Sequence, residues 1–124
     1  MKKWCILFLF SGFLLFNAQK AYAVHLTDYE FIKITVRENG ISYEWEYENP
    51  DHFEYEFGEK VWKDERARKL FTDIINKLQL TEDAKVEQMV ERLQNDGYPN
   101  IEKLAIRMMN HEGKLRTWVW HKQK

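Results

Sequence analysis

Between Tyr29 and Phe57 the chain alternates apolar and polar residues almost without a break. Its centre, Ile41-Ser42-Tyr43-Glu44-Trp45-Glu46-Tyr47-Glu48, keeps a strict period of two. In a strand that period sends an aromatic set to one face and an acidic set to the other. Asn39-Gly40 separates this run from the one before it, and both central positions of a type I′ turn need the positive φ that Asn and Gly tolerate. A two-residue turn there pairs Val36 with Tyr43, Ile34 with Trp45 and Ile32 with Tyr47. On the other face it sets Thr35 against Glu44, Lys33 against Glu46 and Phe31 against Glu48. A slip of one residue would turn the apolar set to solvent, so turn chemistry and pattern specify one register.

Asn49-Pro50-Asp51 is turn chemistry, and His52 to Phe57 then alternates again as a third strand. A loop of three residues, or five with frayed ends, pairs Tyr47 with Phe53 and Trp45 with Tyr55. It also sets Glu46 against Glu54 and Glu44 against Glu56, each clash costing a few tenths to about 1 kcal/mol. Gly58 to Lys63 is ambiguous, either an extension of the third strand or a loop packed beneath the sheet.

From Asp64, a fair N-cap, the period changes to that of a helix. Ala67, Leu70, Phe71, Ile74, Ile75 and Leu78 form its apolar stripe over about four turns. Gln79-Leu80-Thr81 is a short link, with Thr81 expected to cap a second helix whose stripe is Val86, Met89, Val90 and Leu93. Asp96-Gly97 ends that helix, with Gly97 at C′ and Pro99 beyond. Ile101 to Met109 and Leu115 to Trp120 read as two more strands around Glu112-Gly113. A two-residue turn there pairs Ile106 with Val119 and Met108 with Thr117, and lays Arg107 against Trp118 and Ala105 against Trp120; a three-residue loop breaks that match.

The expected fold is α+β: an antiparallel sheet of about five strands in β-β-β-α-α-β-β order, with two helices packed on one face. Charge bears on strand order. Ile41 to Glu59 holds seven acids and no Lys or Arg, whereas Ile101 to Lys124 holds six basic residues and two acids. Laying the last hairpin beside the third strand brings Lys103 and Arg107, or Arg116, near Glu54 and Glu56. The rival placement, beside the first strand, leaves the glutamate ladder open to solvent.

The N-terminus belongs to another class of sequence. Lys2 and Lys3 precede an apolar run from Trp4 to Phe16, and Ala21-Tyr22-Ala23 has small residues at the positions a signal peptidase reads. Residues 1–23 are expected to be a secretory signal peptide, and 24–124 a single domain whose contact with a membrane ends at cleavage. The apolar run spans 13 residues, short of the roughly 20 of a spanning helix. Removal takes away Lys2, Lys3 and Lys20 and no acid, so basic residues fall from 19 to 16 against 20 acids, a net charge of −4. That balance argues against a nucleic-acid partner. Cys5, the sole cysteine, leaves with the signal, so the domain is held by its core, to which Trp45, Trp62, Trp118 and Trp120 contribute.

Two surfaces are candidates for binding. Glu44, Glu46, Glu48, Glu54 and Glu56 form an acidic ladder, either a site for a cation or basic partner or a solvated face that blunts aggregation. Trp118 and Trp120 share one side of the last strand, with Arg116 and Arg107 near them, as an aromatic platform or as core. His25, His52, His111 and His121 lack metal-ligand spacing to one another. Ser42, the only serine beyond the signal, is outside any nucleophile elbow, and no Gly-rich phosphate loop is present. No cofactor and no catalytic residue is expected.

The order and spacing of these elements resemble the YusW-like proteins, small exported bacterial proteins of unknown function. The likeness lies in the Asn39-Gly40 turn followed by Tyr43 to Glu48, the helix Ala67 to Leu78, the stripe Val86 to Leu93 and the closing hairpin around Glu112-Gly113. It implies export and supplies no catalytic residues. Some proteins of this kind carry a lipid-attachment cysteine, which this chain lacks at the matching place. The expectation is an exported binding module acting at or outside the cell envelope. The alternative is a small inhibitor or accessory subunit that docks on another exported protein through a sheet edge or the aromatic patch.

Overall fold

The computed structural model describes residues 24–124. The signal peptide expected over residues 1–23 lies outside them. The elements are β1 (Tyr29–Glu38), β2 (Ile41–Glu48), β3 (His52–Phe57), β4 (Lys60–Trp62), α1 (Glu65–Leu78), α2 (Val86–Asn95), β5 (Ile101–Asn110) and β6 (Leu115–His121). The strands make one antiparallel sheet in the order β4-β3-β2-β1-β5-β6, and both helices pack on the same face of it.

The first hairpin has the register that its turn demands. Asn39 and Gly40 adopt φ of 52° and 79°, and every pair from Val36–Tyr43 to Phe31–Glu48 is as expected. β3 follows in the expected register too, with Tyr47 opposite Phe53 and Glu46 opposite Glu54. The ambiguous stretch after it folds back as β4, a sixth strand of three residues on the outer edge of β3.

The last hairpin sits beside β1, not β3. Length accounts for this better than charge. β5 has ten residues, as β1 does, whereas β3 has six. Against β3 several backbone groups of β5 would lack partners, and an unpaired buried backbone group costs more than a screened surface ion pair returns. Central placement also buries Ile32, Ile34 and Val36 completely.

The register of that hairpin is one residue away from the expected one. Ile106 faces Trp118 and Leu104 faces Trp120. Asn110 decides this: its side-chain oxygen accepts from the N–H groups of Glu112 and Lys114, both at 2.9 Å. With Gly113 at φ 84°, the loop closes with three residues, His111 to Gly113.

α1 begins where expected, with the Asp64 carboxylate accepting from the Arg66 N–H. Thr81 does not cap α2. It opens a turn, its carbonyl accepting from Ala84, and α2 starts only after Lys85. The longer link is pinned to the sheet by Leu80, which is fully buried, and by Glu82. The Tyr29 hydroxyl donates to Glu82 at 2.6 Å, and Arg116 pairs with the same carboxylate at 3.5 Å. α2 ends on Gly97 at φ 110°, with the Tyr98 N–H returning to the Leu93 carbonyl. Between the layers Tyr47, Phe53 and Phe71 pack ring against ring, their centroids 5.2 to 6.1 Å apart.

Candidate functional site

Because both helices occupy one face, the other face of the sheet is the broad surface left to examine. Pairing across all six strands puts its residues in rows. One row reads Val61, Glu56, Glu44, Thr35, Ala105, Val119. The next reads Glu54, Glu46, Lys33, Arg107, Thr117. A third carries Glu48, Phe31, Met109 and Leu115, and a fourth carries Arg37 and Lys103. Most of the charge on the face is therefore divided along the boundary between β1 and β2, the exception being Glu102 of β5, which pairs with Arg37 at 3.6 Å. Glu44, Glu46, Glu48, Glu54 and Glu56 lie on the β2–β3 side, and Lys33, Arg37, Lys103 and Arg107 on the β1–β5 side. The outermost strands add exposed apolar residues: Val61 is 49% exposed, Val119 52% and Leu115 43%.

The acidic side is under electrostatic strain. Burial pushes the Glu46 carboxyl above the usual glutamate range; Lys33 opposes the rise, and Glu54, Glu48 and Glu44 add to it. Burial raises Glu56 too, helped by a hydrogen bond with Glu54 and by the charges of Glu44 and Glu54. Lys33 is the one cation in contact with the ladder among the described residues. It stands opposite Glu46 but reaches diagonally to Glu44 at 3.6 Å. The carboxylates run along the strands instead of converging. Among the described residues, no group of three or more His, Cys, Asp or Glu is placed to hold a metal ion.

Arg107 is on this face, and the aromatic pair is not. Arg107 lies over the Phe31 ring, 5.7 Å from its centroid, and opposite Thr117. Trp118 and Trp120 point to the helix side, half-buried against the core, which separates them from Arg107 by the thickness of the sheet. The Trp118 indole N–H donates to the Ala84 carbonyl at 2.9 Å. That bond ties β6 to the link between the helices, as packed tryptophans commonly do. The one-residue shift at Asn110 moved the pair from the open face to the covered one.

A shallow groove of about 420 Å³ runs beside β6, lined by Glu82, Ala84, Lys114, Arg116 and Trp118 among others. The sequence did not single it out, because it depends on the link between the helices lying along β6. At the far end of the hairpin, His111 bridges Glu30 through Nδ1 and the Thr27 carbonyl through Nε2, both at 2.7 Å. Comparison with family models, curated proteins and solved structures finds no match to this chain.

Proposed function

We infer that this chain is an exported, non-catalytic binding domain of the YusW-like kind, acting at or outside the cell envelope through the open face of its sheet. The observation that carries the reading is the division of charge on that face. Glutamates placed directly opposite one another, with their carboxyls raised by burial and mutual repulsion, work against stability. A surface that retains such a cost and sorts its cations to the other half is suited to a partner with the complementary pattern. The signal-like N-terminus supports export, and the absence of a nucleophile context around Ser42 supports a binding role.

A photo-crosslinking residue at Thr35, in the centre of the open face, tests this, with Gln88, exposed on the outer side of α2, as the control. The reading expects the chain in the envelope or extracellular fraction, with adducts from Thr35 and none from Gln88. Retention in the cytoplasm, or adducts from Gln88 alone, would overturn it.

The second reading, an accessory subunit or inhibitor of another exported protein, is favoured by β6. It is an edge strand of seven residues with the groove beside it, where an extended segment could add a strand. Adducts confined to Thr117 and Val119 on that strand would favour this reading.

A further inference from the structure

We propose that the partner of the open face is a second copy of this chain, stacked sheet to sheet about a two-fold axis that runs along the strands between β1 and β2. This rests on the reading of that face as the working surface and deepens it.

The order of residues within each row is self-complementary about such an axis. A two-fold axis in that position lays β2 over β1, β3 over β5 and β4 over β6 of the second copy. The sheet has six strands, and the axis divides them three and three. Reversing the charged row sets Glu54 against Arg107 and Glu46 against Lys33. Reversing the neighbouring row sets Val61 against Val119, Glu56 against Ala105 and Glu44 against Thr35. No position in these two rows meets a like charge. Each contact occurs twice, as an isologous interface requires. The exposed valines come together at the two margins, where they shield the charged rows from water.

Size and geometry agree. Six strands about 4.8 Å apart, with about seven residues each at about 3.4 Å, make a face of roughly 600 Å². Two such faces bury on the order of 1,200 Å², within the range of specific interfaces. Face-to-face sheets stack about 10 Å apart with their strand directions within about 30° of one another, an alignment that an axis along the strands satisfies. The acidic half gains counterions that, among the described residues, its own fold supplies only through Lys33. Stacked sheet on sheet, the molecule becomes four layers deep, helices outside and charge within.

Sedimentation velocity over a micromolar concentration series tests this, using the full chain expressed with its own N-terminus and recovered as the cell processes it. A dimer is expected at low salt, weakened at high salt because its charged contacts are screened. Glu54→Lys and Arg107→Glu, each alone, place like charges together twice and should weaken the dimer about tenfold or more. The double variant exchanges the two charges and should restore it. The Thr35 crosslink gives an independent readout without altered charge, an adduct of twice the chain mass. A monomer throughout the series, a dimer indifferent to either reversal, or a double variant no better than the singles overturns the proposal. A Thr35 adduct to a different component removes the second copy but leaves the open face as the working surface. No Thr35 adduct at all removes both.

Discussion

Trp118 and Ala84 are joined by a hydrogen bond of 2.9 Å from the indole N–H to the backbone carbonyl. Trp118→Phe keeps an aromatic ring at the position and deletes the donor, leaving that carbonyl without its partner. The expected cost is about 1 to 2 kcal/mol, seen as a lower urea midpoint at an unchanged slope. A tryptophan serving instead as a ligand platform would be replaced with no loss of stability.

His111 donates from both ring nitrogens, to Glu30 and to Thr27, only when protonated. These two bonds hold its pKa above the ordinary histidine value, the Glu30 bond contributing most. The folded state therefore binds this proton more tightly than the unfolded chain. Its contribution to stability is complete below the unfolded value of about 6.5 and disappears as pH rises through the folded value. An NMR titration of the ring should show the upward shift, and His111→Gln should flatten the pH dependence of stability in that window. A ring that titrates at the ordinary value would show that the bridge does not form in solution.

Glu46 and Glu56 obey the opposite economy. Burial, joined by neighbouring carboxylates, raises both, so the folded chain favours their protonated forms. Their charge weakens the fold at neutral pH, and that penalty is lifted as pH falls through the folded values toward the ordinary glutamate range. Glu46→Gln and Glu56→Gln should each stabilise the isolated protomer by a few tenths of a kcal/mol at neutral pH and make no difference in acid. Thermal unfolding in the Arg107→Glu background, at a concentration where sedimentation shows monomer and at both pH values, reads this without interference from self-association.

Asn110→Ala tests what chooses the final register. Removing the oxygen that holds the N–H groups of Glu112 and Lys114 should cost about 1 to 2 kcal/mol and raise amide exchange throughout residues 111–114. Unchanged exchange there would mean that the strands themselves, and not the loop, set the pairing.

The two hairpins show how much of this molecule was legible in its sequence. Asn39-Gly40 admits one tight turn, and the alternation on either side admits one register, so β1 and β2 could be paired residue by residue. Asn110-His111-Glu112-Gly113 admits loops of two or three residues, and the strands it joins have apolar residues on both faces. Only the two hydrogen bonds of the Asn110 side chain break that tie. The acidic ladder was legible because it needed only the first hairpin and the Asn49-Pro50-Asp51 turn into β3. Its basic counterpart was not, since it depends on β5 lying beside β1. Matching the ten residues of each strand would have indicated that placement, where matching charges pointed to β3.

β1 is made before the rest of the sheet, yet its second edge is completed only after β2, β3, β4 and both helices have been made. Its edge toward β2 closes across a two-residue turn, but its edge toward β5 stays open until the chain has been made through Asn110 and folded back. An unfinished chain therefore carries a ten-residue strand lined by Ile32, Ile34 and Val36 with one side unpaired, the kind of template on which other strands assemble. The hazard of aggregation belongs to the nascent or truncated chain, and β5 is the element that ends it.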